Sequence, residues 1–168
     1  RTTEINQRAF YRCSSLTSIT IPEGVTSIGS GAFHGCINLS SITILEGLTS
    51  IGNNAFTDCL SLTSITIPDT VTSIGDHAFE DCTNLTSVNF GDNSQLTTIG
   101  YCAFDGCSSL TSITIPSSVT SIGKYAFSDC SKLTTVNFEN QTGWFTTNSS
   151  SATSGTPIDD LSDSAQNA

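Results

Sequence analysis

A phenylalanine preceded by alanine returns along this chain at nearly constant intervals. The pair stands at Ala9-Phe10, Ala32-Phe33, Ala55-Phe56, Ala78-Phe79, Ala103-Phe104 and Ala126-Phe127, with spacings of 23, 23, 23, 25 and 23 residues. Three residues after each Phe comes a Cys (Cys13, Cys36, Cys59, Cys82, Cys107, Cys130), and three residues later a Leu (Leu16, Leu39, Leu62, Leu85, Leu110, Leu133). Two alternating apolar positions follow, such as Ile19 and Ile21 or Val88 and Phe90, then a second apolar pair and a Gly, such as Val25, Ile28 and Gly29. A fixed period of this length is the signature of a solenoid.

Each 23-residue unit thus carries eight inward-looking residues. One unit alone cannot bury them, but stacked units place Leu on Leu and Phe on Phe in a continuous core. At roughly 25 cal/mol per Å² of buried apolar surface, stacking offsets chain entropy. It does so although only 36% of the residues are hydrophobic. The one 25-residue unit supports the frame. Its Phe90-Gly91-Asp92-Asn93-Ser94-Gln95-Leu96 replaces the shorter Ile67-Pro68-Asp69-Thr70-Val71, so the two extra residues fall in a turn.

The segment Thr17-Ser18-Ile19-Thr20-Ile21 alternates polar and apolar side chains and predicts a short strand ended by Pro22. Equivalent strands one coil apart are expected to pair in parallel at roughly 4.8 Å. Thr26-Ser27-Ile28 predicts a second, shorter strand, and Gly29 a free bend. The stretch through Ala32 and Phe33 predicts a helical or 3₁₀ turn. The expected fold is a repeat solenoid of the leucine-rich type. It is mainly β, with a parallel sheet on one face and short 3₁₀ or helical turns. Residues 1–138 form six Ala-Phe-x-x-Cys units, the first partial, and 139–168 a C-terminal cap and Ser/Thr-rich linker. Within that tail Trp144 and Phe145 are expected to cover the open end of the last coil, and 148–157 to form the linker.

The stretch from Leu62 to Cys82, Leu-Thr-Ser-Ile-Thr-Ile-Pro-Asp-Thr-Val-Thr-Ser-Ile-Gly-Asp-His-Ala-Phe-Glu-Asp-Cys, resembles the 23-residue repeat of BspA-like leucine-rich-repeat proteins. The resemblance covers residues 4 to about 138. Members of that family are largely surface or secreted proteins of anaerobic bacteria and some protozoan parasites, associated with adhesion to host matrix proteins and other microbes. The resemblance therefore implies an extracellular or cell-surface binding or adhesion module. A stalk that projects another domain and an intracellular interaction scaffold are the alternatives, because a repeat fold does not by itself fix function.

Composition narrows the partners. The formal net charge is −10, with 15 acidic against 5 basic residues. Such a surface repels phosphate backbones, which argues against nucleic acid. No apolar run approaches the roughly 18 residues that a spanning helix needs. The chain opens at Arg1 in mid-repeat, which reads as a trimmed segment of a longer product. No nucleophile elbow, zincin, P-loop or dinucleotide motif is present, and His34 and His77 lie in separate loops. Neither catalytic residues, nor a cofactor, nor a metal site is expected.

Charged residues make up only 12%, and Ser and Thr take their place on the surface. The outward strand positions Thr20, Thr43, Thr66, Asn89, Thr114 and Asn137 are the candidate ligand-binding residues. Stacked on a parallel sheet they would make a broad neutral face for a protein or glycan ligand, such as host matrix or another microbial surface, contacted by a monomer. The plainer reading is that Thr and Ser suit solvated strand positions. The mixture of Thr with Ser and Asn argues against lattice matching to ice. Six cysteines occupy one inward column and are expected to be buried. Cys102 shares a variable column with Gly31, Asn54, His77 and Tyr125 and is expected to be exposed, where it could link two chains. Acidic residues fall into two loop columns, Glu23, Glu46, Asp69 and Asp58, Glu80, Asp81, Asp105, Asp129, which read as a solvated rim. Calcium is their weaker alternative. Sequons begin at Asn38, Asn84, Asn140 and Asn148. At the first two a glycan is not expected, because the Asn adjoins an inward Leu.

Overall fold

The computed structural model describes residues 2–139 and, beyond them, a small antiparallel pair of strands, β13 (Phe145–Thr146) and β14 (Thr156–Pro157). Asn140, Trp144, Asn148, the side chain of Phe145 and most of the linker assigned to 148–157 lie outside the described residues.

Each coil lays down a four-residue strand and a two-residue strand. The long ones are β2 (Ser18–Ile21), β4 (Ser41–Ile44), β6 (Ser64–Ile67), β8 (Ser87–Phe90), β10 (Ser112–Ile115) and β12 (Thr135–Phe138). The short ones are β1 (Glu4–Ile5), β3 (Ser27–Ile28), β5 (Ser50–Ile51), β7 (Ser73–Ile74), β9 (Thr98–Ile99) and β11 (Ser121–Ile122). All twelve pair in parallel, each residue opposite its equivalent one coil away. Ser73 faces Thr98, so the 25-residue coil holds register and absorbs its insertion in the loop after β8. The chain is back in step by Gln95, whose N–H bonds Asp69 O at 2.9 Å.

The two kinds of strand exchange the roles that the sequence assigns them. The short strands form one uninterrupted six-stranded sheet, β1-β3-β5-β7-β9-β11. The long strands form three separate ladders, β2-β4, β6-β8 and β10-β12, while β4 lies beside β6 and β8 beside β10 without pairing. Side-chain hydroxyls follow the same division. Along the short sheet the Oγ1 hydroxyls of Thr26, Thr49, Thr72, Thr97 and Thr120 each donate to the equivalent carbonyl one coil back, at 2.8–3.3 Å. Along the long strands Ser40, Thr86 and Thr134 do so, at 3.0–3.2 Å, each at a junction that pairs.

The third side is a stack of turns, and among the described residues it contains no helix. Gly31, Phe33 and Gly35 send their N–H groups to Asn53, Ala55 and Thr57 of the next coil at 2.8 Å. The alternate residues Ala32, His34 and Cys36 bond back three residues within their own coil, at 3.1–3.2 Å. A residue in left-handed backbone interrupts any helical continuation twice per coil. One column is Arg8, Gly31, Asn54, His77, Cys102 and Tyr125, with φ of 51–62°. The other is Arg12, Gly35, Asp58, Asp81, Gly106 and Asp129, with φ of 51–72°. The non-glycine residues of both columns accept a conformation that ordinarily costs of order 1 kcal/mol or more, because ladder bonds to the neighbouring coil fix the backbone.

The recurrent glycine after each short strand serves a different need from the bend expected of Gly29. Gly52 lies so near the previous coil that a Cβ would meet Ile28 O and Ser30 N at 2.8 Å. Gly29, Gly75, Gly100 and Gly123 are equally crowded by backbone, and none of them has positive φ. Close approach, with no need for left-handed freedom, selects Gly at this column.

The core is the predicted set of columns. Phe33, Phe56, Phe79 and Phe104 are fully buried, and the six rings from Phe10 to Phe127 stack with centroids 5.1–5.4 Å apart and planes within 8°. Cys36, Cys59, Cys82, Cys107 and Cys130 are buried free thiols, and Cys13 in the first coil is exposed. Asn38 and Asn84 spend their side-chain amides on Ser14 O (2.7 Å) and Leu60 O (2.8 Å), so glycosylation there would cost those bonds.

Candidate binding face

All six residues chosen from sequence project to solvent. Thr20, Thr43, Thr66, Asn89, Thr114 and Asn137 are exposed, and the residues flanking them in each strand point inward. This follows from the period-two alternation of a strand whose other face meets the core. Register brings them together two by two: Thr20 opposite Thr43, Thr66 opposite Asn89, Thr114 opposite Asn137. The interruptions after β4 and β8 divide the expected single face into three paired patches. Each patch offers hydroxyl or amide groups on β-sheet backbone. Ser and Thr at the preceding outward position (Ser18, Ser41, Ser64, Ser112, Thr135) extend the neutral row.

Cys102 departs from the exposure expected of it. It is 5% exposed, and burial is the main cause of its raised pKa. The column is variable because long side chains such as His77 and Tyr125 reach outward from it, whereas the short Cys side chain stays beneath its neighbours. A link between chains through Cys102 would require that cover to open.

The turn side carries most of the ionisable and aromatic groups, which sequence reasoning treated only as loop columns. Tyr11 stacks on His34 with centroids 5.1 Å apart, and the guanidinium carbons of Arg8 and Arg12 lie 5.5 and 5.4 Å from the Tyr11 ring centre. His77 meets Tyr101 edge-on at 5.2 Å and Tyr101 meets Tyr125 at 5.8 Å. The two histidines each face a carboxylate, His34 Nε2 to Asp58 Oδ2 at 3.8 Å and His77 Nδ1 to Glu80 Oε2 at 3.1 Å. Asp81 holds its proton more strongly than an ordinary carboxyl. Partial burial is the first cause, and the negative charges of Glu80, Asp58, Asp105 and Asp129 add to it. Among the described residues no three His, Cys, Asp or Glu side chains converge as metal ligands, and no helix is long and apolar enough to cross a membrane. The signal that could have found the turn side was present: Arg8, Tyr11 and Arg12 sit at fixed offsets from Phe10, so the period stacks them on Gly31, His34 and Gly35.

Parallel coils, stacked Leu and Phe columns, two strand-bearing sides and a side of turns define a leucine-rich-repeat solenoid. Residues 3–96 and 49–164 match the BspA type leucine rich repeat region, in six copies, and the chain belongs to that family. No curated protein matches. Among solved structures, the pneumococcal vaccine antigen PcpA is similar at 28% identity and a TM-score of 0.69, over 82% of this chain and 35% of that one. A leucine-rich repeat protein from Eubacterium ventriosum is 36% identical with a TM-score of 0.66, over 72% of this chain and 32% of its own. The T. pallidum leucine rich repeat protein TpLRR is 27% identical with a TM-score of 0.59, over 79% of this chain and 72% of that one. The chain thus spans about a third of the pneumococcal and Eubacterium proteins.

Proposed function

We propose that the chain is a non-enzymatic binding or adhesion module, displayed at the cell surface or secreted. It acts as a monomer that recognises a protein or glycan ligand through Thr20, Thr43, Thr66, Asn89, Thr114 and Asn137. The observation that carries this reading is that all six are exposed on strands whose alternate residues are turned to the core. The core fixes the spacing of the groups before any ligand arrives. Little ordering entropy then remains to oppose binding, since four of the six are Thr, whose branched side chain has few rotamers. A surface location is supported by the family and by the similarity to a pneumococcal vaccine antigen.

The test substitutes Thr43, Thr66 and Thr114 together by Arg and compares binding to a panel of immobilised matrix proteins and glycans. The expected result is a loss of at least roughly tenfold for the ligand that binds the unmodified chain, since unpaired charges covered by a ligand cost on the order of 1.4 kcal/mol or more. Equal binding by both proteins would overturn the assignment of the face. A rigid stalk is the second reading, favoured by the unbroken six-stranded sheet β1-β3-β5-β7-β9-β11. It expects no saturable ligand at all.

A further inference from the structure

Two of the five basic residues in a chain of net charge −10 meet at one place, on the turn side beside Phe10 and Phe33. Arg8 and Arg12 occupy the two left-handed positions of one coil, at φ 57° and 55°. Their stems lie across Gly31 and Gly35 of the next coil: a Cβ on Gly31 would stand 3.4 Å from Arg8 Cγ, and one on Gly35 only 2.9 Å from Arg12 Cγ. The two glycines therefore leave the space that the arginines use. Neither guanidinium has an ion-pair partner among the described residues. Both guanidinium carbons lie within 5.5 Å of the centre of the exposed Tyr11 ring, which stacks on His34 at an interplanar angle of 22°. Arg8, Tyr11, Ser30, Gly31, His34 and Asn54 line an open hollow of about 240 Å³.

We propose that this hollow binds an acidic saccharide, one sugar ring bearing a carboxylate or sulfate. The anion pairs with the guanidinium of Arg8, and Arg12, whose guanidinium carbon is 5.4 Å from the centre of the Tyr11 ring, adds charge from outside the hollow. An arginine fork suits a planar carboxylate or a sulfate edge better than a single point charge does. The C–H face of the sugar packs against the exposed edge of the stacked Tyr11 and His34 rings. Ser30 Oγ already donates to Asn53 O at 3.0 Å, and Asn54 Nδ2 to Thr57 Oγ1 at 3.3 Å. Their acceptors, Ser30 Oγ and Asn54 Oδ1, thus serve sugar hydroxyl donors. The hollow is smaller than the roughly 300–1,000 Å³ of sites for drug-sized ligands, which suits a single sugar ring. Asp58 Oδ2 stands 3.8 Å from His34 Nε2 and is not part of the lining. The site is separate from the strand face, so each can fail alone.

The experiment titrates the ¹⁵N-labelled chain with glucuronate, glucose 6-sulfate, glucose, acetate and an Asp-rich peptide, following amide shifts at low salt. The proposal expects saturable shifts of Gly31, His34 and Asn54 with glucuronate or glucose 6-sulfate, and at least roughly tenfold weaker binding of glucose. The double variant Arg8→Asn/Arg12→Asn keeps residues that tolerate left-handed backbone. It is expected to retain the thermal transition and lose binding at least roughly tenfold. Tyr11→Leu is expected to abolish the preference for glucuronate over acetate. No shift at those amides, equal binding of glucose, full binding by the double variant, or tighter binding of the Asp-rich peptide at the same amides would each overturn the proposal.

Discussion

The thiol of Cys82 donates to the carbonyl of Phe56, one coil earlier, at 3.2 Å. The same bond joins Cys36 to Phe10, Cys59 to Phe33, Cys107 to Phe79 and Cys130 to Phe104, at 3.1–3.3 Å. A thiol here is small enough for a column between Phe and Leu, and its weak donor reaches the second lone pair of a Phe carbonyl that already accepts the N–H of the Cys in its own coil, as Phe56 O does from Cys59 at 3.2 Å.

Burial raises these thiols above their ordinary value of 9.0, Cys130 to about 12 and Cys82 well above 9.0. Two outcomes are expected. In the native chain at pH 8 a disulfide reagent should titrate one fast thiol, Cys13, against seven after unfolding. Above the ordinary thiol pKa the unfolded chain has lost protons that the folded chain still holds. Stability should therefore be intact below about pH 9 and fall as pH rises towards 12 and beyond. The slope approaches about 1.4 kcal/mol per pH unit for each buried thiol. Urea midpoints measured from pH 7 to 11 check this; a flat profile contradicts it.

The Phe column is expected to weaken from its middle outward. Phe56 is fully buried between Phe33 and Phe79, with centroids at 5.2 and 5.1 Å. Truncation by Phe56→Ala removes both contacts and leaves a cavity inside the stack, at a cost of about 3–5 kcal/mol. Phe127 is only partly buried and stacks on Phe104 at 5.4 Å. Phe127→Ala should cost roughly half as much. Denaturant unfolding of both variants decides it, and equal costs would mean that the stack is not the unit of stability.

The columns were legible in the sequence because burial acts on side chains, and the period counts side chains directly. Leu, Phe, the strand Ile residues and five of the six column cysteines lie where the 23-residue frame puts them; Cys13, in the first coil, was expected to be buried and is exposed. The exposed Thr and Asn row followed from alternation alone. What stayed hidden is backbone geometry. Nothing in Ser-Ile-Thr-Ile tells a ladder that pairs, as β2 with β4, from neighbours that do not, as β4 with β6. Nor do Asn54, His77 and Tyr125 announce left-handed φ, since Gly is the residue that ordinarily marks it. Cys102 was misplaced for the same reason: its exposure was inferred from the variability of a column whose direction the backbone, and not the residue type, decides.

The glycine after the short strand offers a direct test of that backbone geometry. A Cβ on Gly75 would stand 2.7 Å from Asn53 N and 2.8 Å from Gly52 C, both main-chain atoms of the previous coil. They cannot rotate away, so the coils must separate where the continuous sheet runs. Gly75→Ala is expected to cost about 1–3 kcal/mol or more. Gly24 has φ +89°, and a Cβ placed there would meet nothing within 4 Å, so Gly24→Ala should cost only local strain, about 1 kcal/mol. Thermal unfolding of the pair checks the order. A milder effect at Gly75 would show that the coils can slide apart freely.

Asp81 tests the acidic column. Partial burial and the neighbouring Glu80, Asp58, Asp105 and Asp129 raise its pKa above the ordinary 3.8. As pH climbs through the window above 3.8, the unfolded carboxyl releases its proton before the folded one, and the folded chain loses stability until its own carboxyl ionises. At pH 7 the column therefore carries a repulsive cost. Asp81→Asn removes the charge and keeps a residue suited to φ 56°. Because the side chain is well exposed, water screens the repulsion and the gain should be no more than about 0.5 kcal/mol. It should shrink in roughly 0.5 M salt, where the screening length falls below the spacing of neighbouring coils. Melting curves at pH 3 and pH 7, each at low and high salt, separate the contributions: the variant should gain at pH 7 in low salt and gain little elsewhere. A loss at pH 7 would instead assign the Asp81 carboxylate a stabilising contact that outweighs its neighbours.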